Sequence, residues 1–510
     1  MKRYILAHDL GTTGNKATLY NSDGQLVGAV TYTYDTDHPH TSWAEQDPQD
    51  WWQAICSTTH EVLRKSNITP DEIAGVSFSG QMQGCVPVDS AANPLRKAII
   101  WADQRALAQQ HWIGEYISAE EVYRITGHRL SASYSLPKML WLRDNQPDVY
   151  RNTYKFLQAK DVMVARLTGV FATDPSDASG TNIYDLEKGR WSEKIVEATQ
   201  LDPAKLPEIY PSTAVVGTVL PQVADEVGLA AGTPVVIGGG DGACAAAGAG
   251  VVHEGSAYNY IGSSSWIAIT SRKPIYDPEF RTFTFAHVVP GMVMPTGTMQ
   301  SAGAAYRWTR DQLGGVQIRA AEALGISTYE LMNLEAETAP PGSNGLVFLP
   351  YLMGERSPRW NPLARGAFIG ITIRQTRADL IRAVLEGITM NLRIILKAFT
   401  DQGAQIDAMR LIGGGAQGRF WNQMMADIYG MPVQRLAILE EATSMGAALT
   451  GGVGVGLYPD FSMAETMNRV TQVFQPDPET QTAYESVYPI FEAAYQAMIP
   501  IYEMMANQSE

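Results

Sequence analysis

The stretch YILAHDLGTTGNKATLYNSDGQLV, residues 4–27, decides the fold at the start of the chain. Apolar residues cluster at 4–8 and again at 16–20, as they do in strands, and a polar loop separates the two runs. The tetrapeptide NSDG is a turn signal that leads into a third strand near 25–33. A helical pattern at 49–65 and a buried strand at 73–81 follow, so the opening of the chain predicts a mixed α/β fold.

The same order of elements returns about halfway along the chain. SAYNYIGSSSWIAITS, residues 256–271, predicts a strand, a Gly-Ser-Ser-Ser loop and a second strand. A strand-to-helix turn at 409–430 and a small-residue helix at 442–456 belong to the second half. We interpret this order as an internal duplication. It predicts two related domains, residues 1–250 and 251–510, that face each other across a cleft.

Composition limits the possible functions. With 510 residues and 45% hydrophobic content, the chain can bury large cores in more than one domain. Its 38 basic and 53 acidic residues leave a formal charge of −15, which disfavours nucleic acid and acidic membrane surfaces as partners. Cys56, Cys85 and Cys244 follow no disulfide or metal pattern, and no apolar run reaches membrane-spanning length. The expected location is the reducing cytoplasm.

The Gly-Thr-Thr-Gly loop between the first two strands is a candidate phosphate site. Gly11, Thr12 and Thr13 offer backbone N–H groups and two hydroxyls in a tight turn, and Lys16 adds a positive charge. An ordinary hairpin loop is the structural alternative, because threonines often satisfy backbone groups in turns. Asp9 favours the phosphate interpretation, since a carboxylate beside a phosphate is repelled unless a cation lies between them. The sequence therefore predicts a Mg²⁺ site at Asp9.

Asp241 is the candidate catalytic residue. It follows a buried strand and three glycines in AGTPVVIGGGDGACAAAGAG, residues 231–250, and stands where a helix begins. One interpretation is a helix N-cap. The other is a general base, because a carboxylate in a glycine-lined cleft can accept the proton of a hydroxyl that attacks phosphorus. The two roles are compatible.

A glycine-rich turn in the second half has two interpretations. GGGAQG, residues 413–418, satisfies the dinucleotide pattern G-x-G-x-x-G, and Glu440 lies far enough downstream to hold a ribose. A dinucleotide site would not explain the two separate Gly/Ser/Thr loops. An adenine nucleotide suits the same turn, because glycines allow close approach of the backbone.

Two segments of the first half carry mixed polar side chains after short apolar runs. They are SGQMQG, residues 79–84, and WADQR, residues 101–105. Amide, acidic and basic groups beside an apolar face suit a polyhydroxyl ligand, while strand-end hydrogen bonding and a core tryptophan are the structural alternative. Neither an HExxH zinc pattern nor a GxxxxGK[ST] phosphate loop occurs in the sequence.

Together these segments resemble the FGGY family of carbohydrate kinases over nearly the full chain. SYSLPKMLWLRDN (133–145) and GAFIGITIRQTRADLIRAVLE (366–386) match its two signatures. TDPSDASGT (173–181) and GERSPRWNP (354–362) are also typical of the family. The resemblance implies an α/β fold with two actin-like domains, of the RNase H-like, sugar kinase and Hsp70 superfamily, flanking a catalytic cleft. It also implies ATP and Mg²⁺ as cofactors.

The resemblance implies a role for each candidate residue. Asp241 would be the base and would also contact the substrate, and Asp9 would be the acid of the metal and phosphate site. The phosphate and nucleotide contacts would be Gly11, Thr12, Thr13, Lys16, Gly262, Ser263, Ser264, Gly303, Gly414 and Gly415. The sugar contacts would be Gln81, Met82, Gln83, Trp101, Asp103 and Arg105.

The substrate is less well defined than the reaction. SGQMQG is most similar to the segment of the family's xylulokinases that contacts the sugar, but Gln83 stands where those enzymes have a histidine. We expect phosphorylation of D-xylulose to D-xylulose 5-phosphate. L-Xylulose, ribulose, erythritol and gluconate are alternative acceptors, and a non-catalytic sensor of sugar or nucleotide is an alternative function. The expected partners are the sugar and ATP, and a homodimer is the expected assembly if the chain oligomerises.

Overall fold

The computed structural model describes residues 2–507, which form two large sheets surrounded by helices. In chain order the strands are β1 (Tyr4–Leu10), β2 (Gly14–Asn21), β3 (Leu26–Thr33), β4 (Glu45–Gln46), β5 (Ile73–Gly80), β6 (Val86–Val88), β7 (Ala98–Ile99), β8 (Lys155–Leu157), β9 (Ala172–Thr173), β10 (Tyr184–Asp185), β11 (Arg190–Trp191), β12 (Glu208–Ile209), β13 (Val215–Thr218), β14 (Pro234–Val236), β15 (Gly239–Gly240), β16 (Ala257–Ile261), β17 (Ser265–Ile269), β18 (Phe283–Ala286), β19 (Val293–Met299), β20 (Val347–Leu349), β21 (Ala367–Ile369), β22 (Met409–Ile412), β23 (Val433–Leu436) and β24 (Val470–Phe474).

The helices lie between and around these strands. They are α1 (Pro48–Ser66), α2 (Leu107–Tyr116), α3 (Ala119–Thr126), α4 (Ser135–Asn145), α5 (Pro147–Asn152), α6 (Ala159–Thr168), α7 (Pro175–Ser179), α8 (Glu193–Thr199), α9 (Pro221–Val227), α10 (Asp241–Gly248), α11 (Gly303–Leu313), α12 (Gly315–Leu324), α13 (Thr328–Glu337), α14 (Arg377–Thr400), α15 (Arg419–Tyr429), α16 (Ala442–Gly454), α17 (Met463–Met467) and α18 (Pro478–Asn507).

The two large sheets share a core strand order, and the second carries an additional edge strand, β18, beside β19. In the first, β1, β2 and β3 form an antiparallel meander, and β5 and β14 continue the sheet parallel to β1 on its other side. In the second, β16, β17 and β19 form the meander, and β22 and β23 continue the sheet parallel to β16. This shared order supports the predicted duplication, and the fold is α/β with two actin-like domains.

The opening stretch folds as its pattern predicts, because its turn is specified locally. The side-chain oxygen Oδ1 of Asn21 accepts backbone N–H bonds from Asp23 at 3.0 Å and Gln25 at 2.9 Å. Gly24 has a φ of +76°, a left-handed conformation that favours glycine. The turn therefore joins β2 to β3 where the sequence places it.

Helices α10 and α16 lie against each other at the centre of the molecule. A Cβ atom at Gly446 would lie 1.8 Å from the carbonyl oxygen of Cys244, and one at Gly248 would lie 1.8 Å from that of Ala442. Only glycine permits such close approach of two helix backbones. The small residues of both segments thus serve a tight helix contact.

This helix pair joins the two sheets. It belongs to a buried cluster that contains Ile5 and Ala7 of β1 as well as Tyr258 and Ala268 of the second sheet. Although α16 lies late in the sequence, it packs on the first sheet, where a Cβ at Gly451 would lie 2.5 Å from the Cβ of Ser77. The division into residues 1–250 and 251–510 stays a prediction.

Two sequence-based expectations concern the surroundings of the protein. Across residues 2–507, every helix is too short or too polar to span a membrane. Cys56, Cys85 and Cys244 are free cysteines, and two of them, Cys85 and Cys244, are buried. The cytoplasmic location stays a prediction.

Candidate active site

Two carboxylates meet at one edge of the first sheet. Asp9 lies near the carboxyl end of β1, and Asp241 directly follows β15. Both strands pair in parallel with β5, where Asp9 and Gly239 are each opposite Ser79. Because the carboxyl ends of parallel strands share an edge, Asp9 and Asp241 flank the end of β5. The two predicted acids therefore belong to one site.

The environment raises the pKa of both carboxyls. Burial and, to a smaller extent, the negative charge of Asp9 raise the pKa of Asp241 to about 7, against the opposing effect of a backbone hydrogen bond from Gly242. Burial also raises the pKa of Asp9 to about 6, and the Ser79 hydroxyl and Lys16 charge oppose that shift. Both residues keep some surface open to the cleft. An acid with a pKa near 7 is suited to accept a proton at neutral pH.

Asp241 is not the helix N-cap. Gly240 holds the cap position and Asp241 is the first residue of α10, so the capping interpretation is wrong by one residue. The Oδ1 atom of Asp241 accepts a hydrogen bond from the backbone N–H of Gly242 at 2.7 Å. Its other carboxylate oxygen is left for a ligand.

The glycines before Asp241 are required by close contacts. Gly238 has a φ of +71°, and a Cβ there would lie 1.9 Å from the carbonyl oxygen of Phe78. A Cβ at Gly240 would lie 2.6 Å from the sulfur of Met82. Met82 therefore packs directly beside the residue that precedes Asp241.

The first predicted phosphate loop is a tight turn held from several sides. Gly11 N–H donates to Gly14 O at 3.0 Å, and the Tyr34 hydroxyl donates to Gly11 O at 2.5 Å. The Trp101 indole N–H donates to Thr12 Oγ1 at 2.9 Å. Lys16 reaches across to Glu441, with 3.5 Å between Nζ and Oε1. This ion pair connects the loop region to the cap of α16.

Gln81 supports this loop through a buried network. Its amide Nε2 donates to Gln46 Oε1 at 2.7 Å, and Gln46 Nε2 donates to the Thr12 carbonyl at 2.6 Å. Only 2% of the Gln81 surface is exposed. Its predicted sugar contact stays a prediction, while the contacts present fix the phosphate loop.

The second loop closes against the start of α11. Gly303 N–H donates to Gly262 O at 2.9 Å, and Ala304 N–H donates to Ser263 O at 2.9 Å. A Cβ at Gly303 would lie 2.3 Å from Gly262 O, which explains the glycine. Arg307 donates from Nη2 to Ser263 Oγ and adds a positive charge at this loop. Ser264 completes the turn, since its carbonyl accepts from Gly262 N–H at 2.9 Å.

A cavity of about 1060 Å³ begins at the second loop. It is lined by Gly262, Ser263, Gly303, Arg307, Gly414 and Gly415, among others. A Cβ at Gly414 would meet no atom within 4 Å, so no close protein contact requires a glycine here. The glycine instead keeps this part of the cavity open. The structure thus brings the predicted nucleotide residues of the second half, apart from Ser264, to one cavity.

Gln83 combines an uncommon backbone conformation with a side-chain amide that has no hydrogen-bond partner in the described part of the chain. Its backbone φ is +64°, an uncommon conformation for a residue with a side chain. Within residues 2–507 its side-chain amide makes no hydrogen bond, whereas its carbonyl accepts from Lys138 Nζ at 2.8 Å. The amide is therefore free to bind a hydroxyl.

Asp103 and Arg105 form a buried ion pair. Arg105 Nη2 lies 2.7 Å from Asp103 Oδ2, both side chains are fully buried, and Arg105 also pairs with Glu45 at 2.7 Å. The guanidinium stacks over Trp43 at 3.7 Å from the ring centroid. These contacts hold the WADQR turn in place, and a direct sugar contact by either residue stays a prediction.

Comparison with known proteins agrees with this geometry. The model of the N-terminal domain of the FGGY family of carbohydrate kinases matches residues 4–248, and the model of its C-terminal domain matches residues 257–455. The chain belongs to the FGGY family of carbohydrate kinases.

Individual relatives of this FGGY kinase differ in their named substrates. A xylulose kinase of Staphylococcus epidermidis is 34% identical and covers 97% of both chains. A gluconokinase of Bacillus subtilis is 31% identical, over 96% of this chain and 95% of its own. The crystal structure of a ligand-bound xylulose kinase from Lactobacillus acidophilus has a TM-score of 0.90 at 26% identity, covering 98% of this chain and 99% of its own.

Sequence reasoning missed a buried charge cluster near Asp241, the candidate catalytic residue of the FGGY kinase. Lys160 Nζ lies 2.7 Å from Asp161, 2.9 Å from Asp174 and 3.1 Å from Asp177. Burial raises the pKa of Asp177 well above its ordinary value, and the charge of Lys160 opposes that shift. In the sequence, Asp174 and Asp177 stand out only because TDPSDASGT is typical of the family. Nothing in the sequence indicates that they form ion pairs with Lys160.

This cluster connects to the cap of α10. Asp174 Oδ2 accepts from the Ser176 hydroxyl at 2.5 Å, and Ser176 Oγ accepts from Gly240 N–H at 2.8 Å. Lys160 is thus connected to the start of α10 through Asp174, Ser176 and the backbone of Gly240.

The residues around Asp9 fit a Mg²⁺ ion that keeps most of its waters. Asp9 Oδ1 is a buried oxygen without a hydrogen-bond partner in the described part of the chain. Residues 2–507 contain no group of three or more His, Cys, Asp or Glu side chains placed to hold a metal. Mg²⁺ is commonly bound by one or two carboxylates together with phosphates, so a full protein cage is not required.

Proposed function

We propose that this FGGY kinase transfers the γ-phosphate of ATP to a hydroxyl of D-xylulose, forming D-xylulose 5-phosphate. The observation that carries the proposal is Asp241, a carboxylate with a raised pKa of about 7 at the sheet edge shared with Asp9. The first predicted phosphate loop follows β1 at this edge, and the second predicted loop borders the cavity of about 1060 Å³ in the second half. The xylulose kinase relatives support the choice of acceptor.

Asp241 acts as the general base in the proposed mechanism. Its carboxylate accepts the proton of the 5-hydroxyl as the hydroxyl oxygen bonds to the γ-phosphorus, while the bond from that phosphorus to the β–γ bridging oxygen breaks and ADP leaves. Asp9 would hold Mg²⁺, which neutralises phosphate charge when bound. The backbone N–H groups that make no hydrogen bond within residues 2–507, those of Thr12, Thr13, Ser263 and Ser264, would orient the phosphates.

The acceptor site suits a neutral polyhydroxyl compound. Gln83 offers an amide that can both donate and accept a hydrogen bond, and Met82 offers an apolar surface beside Asp241. The gluconokinase relative supports gluconate as an alternative acceptor, and L-xylulose, ribulose and erythritol are further alternatives within the same reaction class.

A substrate panel tests the proposal. Purified protein with Mg²⁺ and ATP is assayed for ADP release with D-xylulose, L-xylulose, D-ribulose, erythritol and D-gluconate. We expect the highest kcat/KM with D-xylulose. A higher value for another acceptor would replace the substrate, and ligand binding without ADP release for every acceptor would indicate a sensor.

The Asp241→Asn variant is the matched control for the chemistry. It keeps the size of the side chain and removes the proton acceptor, so we expect kcat to fall by about 10² or more. ATP affinity should hardly change. Near-normal turnover in this variant would contradict the role of Asp241 as the base.

A further inference from the structure

A second cavity, of about 680 Å³, lies between the two halves of the molecule. Its walls include Trp101, Arg129 and Ser133 from the first half and Gln300, Arg356 and Trp360 from the second. The catalytic mechanism uses none of Arg129, Gln300, Arg356 or Trp360.

The two arginines of this cavity have no acidic partner. Within residues 2–507, neither the Arg129 nor the Arg356 guanidinium makes a hydrogen bond or an ion pair. Arg129 instead stacks over the Trp360 ring, 4.7 Å from its centroid, and burial lowers its pKa. A partly buried cation without a counter-charge is costly unless a ligand supplies one.

The charge of the cavity wall is opposite to that of the protein. The chain carries a net charge of −15, yet no described residue that lines this cavity is an aspartate or a glutamate. Two arginines are the charged groups of this wall. Guanidinium groups bind carboxylates and phosphates through paired hydrogen bonds. The wall is therefore built to attract an anion.

The cavity adjoins the loops of the acceptor site. Trp101 lines it and also contacts Thr12 of the first phosphate loop. One ammonium group, Lys138 Nζ, donates to the carbonyls of Ser133 at 2.5 Å and Gln83 at 2.8 Å. Since both carbonyls share one donor, the cavity wall at Ser133 lies beside Gln83.

We propose that this cavity binds the anionic group of a sugar derivative, a carboxylate or a phosphate, between Arg129 and Arg356. The indole faces of Trp101 and Trp360 suit the C–H surface of the sugar, and Gln300 and Ser133 can bond its hydroxyls. The anion has two possible sources: a sugar acid that serves as acceptor, or a sugar phosphate that occupies the site as product or regulator. The inference rests on the proposed kinase function, because that function puts the sugar beside Gln83.

Matched ligand pairs test the proposal on the unaltered protein. Calorimetry compares D-gluconate with D-glucitol, which differ in the carboxylate, and D-xylulose 5-phosphate with D-xylulose, which differ in the phosphate. We expect one anionic member to bind about tenfold tighter than its neutral partner or more. Equal affinities within both pairs would overturn the proposal.

Substitutions then locate the anion. In Arg129→Gln and Arg356→Gln, the preference for the anionic ligand should fall about tenfold, whereas Arg64→Gln, an exposed arginine on α1, should leave it unchanged. Thermal unfolding checks that each variant is folded. A preference that survives in both folded variants would also overturn the proposal.

Kinetics distinguish the two sources. ADP release with D-gluconate that depends on Arg129 and Arg356 identifies a sugar acid acceptor. Inhibition by D-xylulose 5-phosphate with the same dependence identifies a product or regulatory site. If D-xylulose is phosphorylated and neither anion binds, this inference fails while the proposed function stands. If an anion binds and no acceptor is phosphorylated, the proposed function fails while the anion site stands.

Discussion

At the residue scale, the raised pKa of Asp241 links function to stability. Its folded pKa of about 7 lies above the ordinary 3.8, so the folded protein holds a proton that the unfolded chain releases. The contribution of this bound proton to the free energy of unfolding is complete below about pH 4 and is lost as pH rises through about 7. Above pH 7 the folded protein carries a buried charge next to Asp9.

We therefore expect Asp241→Asn to be more stable than the wild type at pH 8. The gain should be about 1–3 kcal/mol and should shrink as pH falls toward 4. Urea unfolding of both proteins at pH 8 and pH 5 measures it. Asp23→Asn, at an exposed turn, is the control and should show no such gain. A loss of stability at pH 8 in Asp241→Asn would contradict the raised pKa.

Gln83 tests how the acceptor is recognised. Its amide has no hydrogen-bond partner within residues 2–507, so Gln83→Ala should lower kcat/KM for the true substrate by the equivalent of about 1–3 kcal/mol without changing ATP affinity. Gln83→His should raise activity toward D-xylulose if the site is that of a xylulokinase. Steady-state kinetics with both ligands varied measures these effects. Unchanged kinetics in Gln83→Ala would make Gln83 structural.

At the element scale, the contact between α10 and α16 places Asp241. A Cβ at Gly446 would meet the backbone of Cys244 in α10, which begins at Asp241. Gly446→Ala should therefore lower stability by about 1–3 kcal/mol and lower kcat. Gly114→Ala is the control, because that helical glycine faces open space and should tolerate alanine. Denaturant unfolding and turnover measure both; a neutral Gly446→Ala would show that the helices separate easily.

The same scale shows what the sequence could predict. The elements β1, β2 and β3 and the loops at Gly11 and Gly262 follow from local patterns, because apolar alternation and turn residues lie within a few positions of each other. Lys160 and Asp174 are 14 positions apart, and their ion pair depends on how α6 and α7 pack. The sequence predicts Asp103 and Arg105 as polar residues available to a sugar, because it does not show that both side chains are buried.

At the scale of the whole molecule, the predicted acceptor residues and the predicted nucleotide cavity lie in different halves. Met82, Gln83 and Asp241 belong to the first half, and the cavity at Gly303 and Gly414 belongs largely to the second. The halves meet through the central helices α10 and α16 and through the Lys16–Glu441 ion pair. Phosphoryl transfer requires in-line contact between the acceptor hydroxyl and the γ-phosphorus, so the halves must come together when both ligands are bound.

We therefore expect the molecule to become more compact with both ligands than with either alone. The packed pair of α10 and α16 can serve as the pivot of this movement, because a packed helix pair changes its conformation less than the loops on either side of it. Small-angle scattering of Asp241→Asn with D-xylulose and ATP measures the radius of gyration without turnover. The radius should fall only when both ligands are present, because each ligand alone contacts mainly one half. Identical scattering with no ligand, one ligand and both would mean that the cleft is already in its reactive form, and specificity would then depend on the fixed positions of Gln83 and Asp241 alone.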